Sequence, residues 1–337
     1  MEQTTTPVKK QRILSGIQPT GCPTLGNYIG AMRNWKLLED EYECLYMVAD
    51  LHTITVRQDP AKFRQNAMQM LGLLLASGLD PKKSVLFFQS HVHQHAELAW
   101  LLNCYTYMGE MNRMTQFKDK SAKHADNINC GLFTYPVLMA GDILLYQANL
   151  VPVGKDQMQH LEICRDIAQR VNGVYGNVFT VPEGYYSKVG ARVMSLQEPT
   201  RKMSKSEADD SFISVLDTPD IIRRKYRRAV TDSEACVRFD TEKQPGVSNL
   251  LSIIAALTGE SIENVTSSFE GKGYGDLKAA VTDVTIETLA PIQAEYARIM
   301  KDKKYMEEVY REGAQHAGYI AERTLQKFMK KIGYVAK

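Results

Sequence analysis

Short apolar runs alternating with longer amphipathic stretches constrain this chain more than any other feature. Residues 13–14, 44–49, 85–88 and 150–153 are brief, apolar and bounded by turn-forming residues, the pattern of buried strands. The stretches between them carry apolar residues at helical spacing, as in Leu25, Ile29 and Met32 at i, i+4 and i+7. Helices are expected over 59–77, 97–107, 133–146 (with Pro136 in its first turn) and 156–171. Strands separated by helices build an α/β fold, a parallel sheet wound on both faces. Such sheets bind ligands at the carboxyl ends of their strands, where the strand order reverses.

From about Thr218 the strand signal fades, and helical spacing takes over at 219–229, 248–257, 277–300 and a last helix to about residue 332. The expected organisation is a flexible tail over 1–12, a doubly wound parallel-sheet domain over 13–216, a mainly helical domain over 217–300, and a C-terminal helix within 301–337 that packs back toward the first domain. At 337 residues the chain suits two such units. A net charge of +2 excludes binding of a polyanion through a global field, so such a partner needs a local basic patch. No run approaches the ~18 apolar residues of a membrane span. The polar, basic start MEQTTTPVKKQR has no apolar stretch behind it. These features point to the cytoplasm. The six cysteines form no C-x-x-C pair and read as reduced, mostly buried thiols.

Four stretches carry candidate chemistry. Ser15-Gly16-Ile17-Gln18-Pro19-Thr20-Gly21, leading to Thr24-Leu25-Gly26-Asn27-Tyr28, reads as a strand, a glycine-rich turn and a helix start. Backbone N–H groups and the positive helix end make an anion cradle there, and Gly26 permits close approach of a base or phosphate. An ordinary strand–helix turn fits the same residues, and no dinucleotide fingerprint or Walker loop occurs. Lys202-Met203-Ser204-Lys205-Ser206 sets two lysines three apart in a polar loop, suited to gripping a polyphosphate or simply to facing solvent. Asp142 stands in an apolar helix, where a carboxylate is costly unless paired. Tyr135, Met139, Asp142 and Tyr146 share one helical face. That face suits an aromatic ligand with one N–H donor; a core Asp paired with an Arg or a loop amide is the alternative. In Val153-Gly154-Lys155-Asp156-Gln157, a strand end enters a helix. Asp156 there can meet ribose hydroxyls or act as an N-cap, and Gln157 can reach a bound amino group.

Two further signals are weaker. His91, His93 and His95 alternate as on a strand but precede a helix, so no protein-held metal is expected. Arg223-Arg224-Lys225-Tyr226-Arg227-Arg228 is a basic helix face, for a phosphate backbone or for solvent. No nucleophile–base pair is evident, so covalent catalysis is not favoured.

Thr24-Leu25-Gly26-Asn27 resembles the H-I-G-H motif of class I aminoacyl-tRNA synthetases, and residues 202–206 match their K-M-S-K-S motif letter for letter. With SGIQPTG, TLGNYIGA, GDILLYQA, VPVGKDQ, RVMSL and AVTDSE, the likeness runs from about residue 15 to about 315. It is to bacterial-type tryptophanyl-tRNA synthetases. The resemblance implies a Rossmann-like nucleotide fold of the HUP type, a helical anticodon-binding domain and a homodimer. It implies L-tryptophan, ATP with Mg²⁺ and tRNA(Trp) as substrates, with no DNA and no membrane. Tryptophan would be activated to its adenylate with release of diphosphate, then transferred to tRNA with release of AMP. A tyrosine-specific relative, a small-molecule nucleotidyltransferase, or a tRNA-binding paralogue without catalysis are the rival readings.

The roles implied by the resemblance are as follows. Lys202, Lys205, Gln18, Thr24 and Asn27 would be catalytic. ATP would meet Gln18, Pro19, Thr20, Gly26, Asn27, Gly154, Lys155, Asp156 and Val193. The loop residues Lys202, Met203, Ser204, Lys205 and Ser206 would meet it too, with Lys120 as a further phosphate contact. Asp142 would accept the indole N–H. Tyr135 and Gln157 would orient the amino group, Met139 would line the ring pocket, and Ser15 would also face tryptophan. The chain departs from the pattern at Thr24 and Asn27, which replace both histidines of H-I-G-H with neutral hydrogen-bonding groups. Leu14 stands where relatives often carry an aromatic side chain.

Overall fold

The computed structural model describes residues 10–114, 128–154, 157–186 and 192–335. The first domain is a five-stranded, all-parallel sheet in the order β3-β2-β1-β4-β5. The strands are β1 (Arg12–Ile17), β2 (Glu43–Val48), β3 (Ser84–Phe88), β4 (Leu150–Pro152) and β5 (Glu183–Tyr185). Adjacent strand residues point to opposite faces, and the core follows that alternation. Ile13, Cys44, Tyr46 and Val48 join one apolar cluster, while Leu14, Leu45 and Met47 join the other.

After β1 the chain builds β2 and β3 on one side and then returns to place β4 on the other, so the order reverses at β1. Helical segments Leu25–Asn27, Tyr28–Met32 and Arg33–Leu38 run end to end as α1, with a π turn in the middle. Among the described residues, the longer helices that follow in this domain are α2 (Pro60–Ala76), α3 (Gln94–Asn103), α4 (Cys130–Leu145) and α5 (Met158–Tyr175), with short helical turns at Asp50–Thr53 and Met108–Asn112. Pro136 lies deeper in α4 than the first turn, because the Asn129 side chain caps the helix earlier, accepting from the Leu132 amide. Likewise α3 starts and stops earlier than its apolar spacing predicts. The fifth strand, Glu-Gly-Tyr, has no apolar run and is specified by pairing with β4.

The second domain comprises α6 (Pro219–Arg228), α7 (Pro245–Thr258), α8 (Ile262–Ser267) and α9 (Tyr274–Lys301). The last helix, α10 (Lys303–Lys331), runs back along β3. Its Met306 and Val309 join one core cluster, and its Ala317, Ala321, Leu325 and Phe328 join the other. A Cβ at Gly313 would lie 1.8 Å from the Leu86 carbonyl oxygen, so only glycine permits this approach. The helix thereby covers an edge strand that would otherwise be open to pairing. All six cysteines are free, but Cys104, Cys130 and Cys236 are exposed, against the expectation of a mostly buried set. Among the described residues, no helix is long and apolar enough to cross a membrane.

Candidate active site at the strand-order reversal

A cavity of about 320 Å³ opens at the carboxyl ends of β1, β2 and β4. It brings together six residues singled out from the sequence: Ser15, Gln18, Tyr135, Met139, Asp142 and Gln157. Leu14 lines it as well. Lys120, Lys155 and Asp156 lie outside the described residues.

Asp142 is completely buried on the cavity wall. Its Oδ1 accepts from Gln89 Nε2 at 2.7 Å and pairs with His95 Nδ1 at 2.6 Å, while Oδ2 pairs with His52 Nε2 at 2.7 Å. Each carboxylate oxygen has about two acceptor sites. Oδ1 is therefore filled, and Oδ2 retains one for a ligand. Burial alone would raise this carboxyl's pKa, but the charges and hydrogen bonds of His52 and His95 outweigh it and hold the group below the ordinary carboxylate range. His95 Nε2 in turn meets the Tyr146 hydroxyl at 2.7 Å, so Tyr146 supports the carboxylate from behind. Tyr135 hydrogen-bonds His160 Nε2 at 2.8 Å, and burial pushes its phenol up to about 12.

Sequence reasoning missed Gln89, His52, His95 and His160. His95 was weighed only as a metal ligand, together with His91 and His93. It is instead a carboxylate partner, while His91 lies against Phe88 and Tyr310. The available signal was the cost of Asp142 itself: a buried carboxylate demands donors, but its histidine partners lie 47 and 90 residues away along the chain.

The two sequence motifs meet beside this cavity. Thr24 caps α1: its Oγ1 accepts from the Asn27 amide at 3.2 Å, and the Asn27 side chain accepts from the Thr24 amide at 3.0 Å. Thr24 is buried, whereas Asn27 is exposed. A Cβ at Gly26 would stand 3.4 Å from Val193 Cβ and 3.8 Å from Met203 Cβ, so the lysine loop packs directly on the helix start. The Leu25 amide donates to Ile213 O at 2.8 Å, and the Met203 amide to Val193 O at 3.0 Å. Met203 is buried and anchors the loop, whereas Lys202 is exposed. Lys205 Nζ lies 3.5 Å from Gly21 O, within the glycine-rich turn. Burial lowers the Lys205 pKa, and nearby Cys22 partly offsets that. Ser204 and Ser206 hydrogen-bond each other at 2.8 Å. Among the described residues, no group of three or more His, Cys, Asp or Glu is arranged to hold a metal ion.

This arrangement combines a buried acceptor in an aromatic and thioether-lined cavity with an adjacent helix start and lysine loop. Comparisons with known proteins agree with that geometry. Residues 6–290 match the family model for tRNA synthetases class I (W and Y). The chain is 54% identical over 327 residues to the tryptophan–tRNA ligase of Clostridium tetani (strain Massachusetts / E88), covering 97% of this chain and 96% of that one. Among solved structures, it superposes on the tryptophanyl-tRNA synthetase of Mycoplasma pneumoniae with a TM-score of 0.90 and 38% identity, covering 97% and 98% of the two chains. It is also similar to the Campylobacter jejuni synthetase complexed with ADP and tryptophan, with a TM-score of 0.83, 34% identity and coverage of 96% and 100%. The sheet, the paired motifs and these likenesses agree, and the chain belongs to the class I tRNA synthetases of the tryptophan and tyrosine branch.

Proposed function

We propose that this chain activates L-tryptophan with ATP and transfers it to tRNA(Trp). The observation that carries the reading is the Asp142 carboxylate on the cavity wall, with one acceptor site left on Oδ2. Indole has one N–H donor and no acceptor, so it matches that site. Phenylalanine would leave it unpaired, and tyrosine presents its donor in a different shape. Met139 and Tyr135 line the ring pocket, and Gln157, Tyr135 and Ser15 face the amino acid's polar end.

ATP, carrying Mg²⁺ as part of the substrate, lies over the turn 18–21 and the start of α1. Gln18, Pro19, Thr20, Gly26 and Asn27 contact it on that side. Gly154, Lys155 and Asp156 meet the ribose, and Val193 the adenine. Thr24 shapes the helix start through its cap. The tryptophan carboxylate attacks the α-phosphate in line, and diphosphate leaves with Mg²⁺. Lys202 and Lys205 neutralise charge on the triphosphate as it develops, with Ser204, Ser206 and Lys120 as further contacts. No covalent enzyme intermediate is needed, since proximity and charge stabilisation suffice. A hydroxyl of the tRNA's terminal adenosine then attacks the adenylate, and AMP leaves. The helical domain contacts the anticodon.

The protein works in the cytoplasm as a homodimer. Trp100 on α3, and Tyr107 and Met108 just beyond it, are large apolar side chains left exposed, of the kind a second copy would cover. Charging of a tRNA(Trp) transcript with labelled tryptophan tests the whole reading. Stable aminoacyl ester is the expected product. Adenylate formation without any charging would leave a nucleotidyltransferase instead.

A further inference from the structure

The segment that carries Lys202 and Lys205 packs on the start of α1, where Leu25 and Pro23 pair with Ile213 and Val215, and is also tied at both roots to the helical domain. At its entry, Asn249 of α7 grips the Met194 backbone twice: its Oδ1 accepts from the amide at 2.8 Å, and its Nδ2 donates to the carbonyl at 3.0 Å. Asn249 is buried. At its exit, Lys225 of α6 reaches Asp209 Oδ1 at 3.1 Å and Asp217 Oδ2 at 2.9 Å, with its ammonium 4.8 Å from the Phe212 ring centroid. Gln293 of α9 adds donations to Val215 O at 2.8 Å and Asp217 O at 2.9 Å. Arg224 and Arg228 pair with Asp209 and Asp210 at 3.0 and 2.7 Å on the outside.

Lys225 has 0% exposure, unusual for a lysine. A buried ammonium is kept only where carboxylates compensate it. Here both carboxylates belong to the strand of chain leaving the lysine loop. Of the basic run on α6, Lys225 is committed to these carboxylates, whereas Arg224 and Arg228 stay exposed beside Asp209 and Asp210.

We infer that Asn249 and Lys225 are positioning residues that make the placement of Lys202 and Lys205 follow the helical domain. Neither touches the cavity; each acts through the loop's two roots. A domain that shifts on α6, α7 and α9 then carries both lysines with it. The inference rests on the reading of those lysines as groups acting on the triphosphate.

The test compares wild type with Asn249→Ala, Lys225→Met and Lys225→Arg. Limited trypsin digestion reports cleavage after Arg201, Lys202 and Lys205. Kinetics separate adenylate formation from transfer of preformed adenylate to tRNA. In Asn249→Ala and Lys225→Met, cleavage accelerates and adenylate formation slows roughly ten- to hundredfold, because a displaced group of about 1 Å costs that much. Tryptophan affinity and the transfer step stay within about twofold, and Lys225→Arg restores activation. If folded variants show wild-type cleavage and activation, the inference is overturned. It is equally overturned if activation and transfer fall together, as general damage would produce. Should Lys225→Met not fold, Asn249→Ala decides alone, because it removes only two hydrogen bonds. Wild type without adenylate formation would sink the functional reading, while the digestion still decides on the clamp.

Discussion

Replacing Asp142 by Asn probes the site with the least collateral damage. The side chain keeps its size, but its two acceptor oxygens become one acceptor and one donor. Three donors now converge on the carboxylate, from Gln89, His95 and His52. Alanine would strand all three, at ~1–3 kcal/mol each. Asparagine, with its oxygen turned toward Gln89 and His95, strands only the His52 N–H. What asparagine removes is the charged acceptor for the indole N–H. A hydrogen bond to a charged group contributes ~1.5–3 kcal/mol, which corresponds to about a ten- to 150-fold loss in kcat/KM for tryptophan. The KM for ATP should stay put, since the proposed nucleotide site is the turn 18–21. Stability carries a second signature. The folded Asp142 carboxyl sits below its ordinary pKa. Its contribution is therefore present above the unfolded value of ~3.9 and is lost as pH falls through the folded value. The melting gap between wild type and Asp142→Asn should narrow on acidification below about pH 4. Tryptophan kinetics within twofold of wild type in a well-folded Asp142→Asn would refute the assignment of this carboxylate to the indole.

Other changes test other parts of the account. Gly26→Ala meets only ordinary contacts in the free protein, so melting should change little while the KM for ATP rises; an unaltered KM counts against the nucleotide lying there. Because burial lowers the Lys205 pKa, activation should decline on the alkaline side before a free lysine's ~10.4. Lys205→Arg should push that limb to higher pH in a pH–rate profile. Gly313→Ala drives a methyl into the Leu86 carbonyl and should cost ~1–3 kcal/mol or more of stability, whereas Gly318→Ala, with open space around it, should be neutral or gain up to ~1 kcal/mol in a denaturant melt. Trp100→Glu should shift the protein toward monomer in sedimentation if that face pairs two copies.

Periodicity was enough to read the long elements, because strands and amphipathic helices bury one face each and repeat accordingly. It failed at β5, whose Glu-Gly-Tyr has no apolar repeat and exists through its neighbour. The start of α4 is set by the Asn129 cap, which spacing does not encode. At the site, Asp142 was legible because a carboxylate in an apolar helix violates the local pattern. Its partners were not, since His52, Gln89 and His95 come from three separate elements and meet it only in three dimensions. The same applies to α6. Its basic run reads as a free surface until Asp209, Asp210 and Asp217 are brought against it. Arginine and lysine patterns announce charge, but not whether the fold has already neutralised it.

The central claim is that this cavity selects tryptophan for reaction with ATP. It is tested most directly by amino-acid-dependent exchange of labelled diphosphate into ATP, run in parallel with each of the standard amino acids. The account predicts rapid exchange with tryptophan and at most background with tyrosine and phenylalanine. Exchange driven by tyrosine, or none with any amino acid, would contradict it.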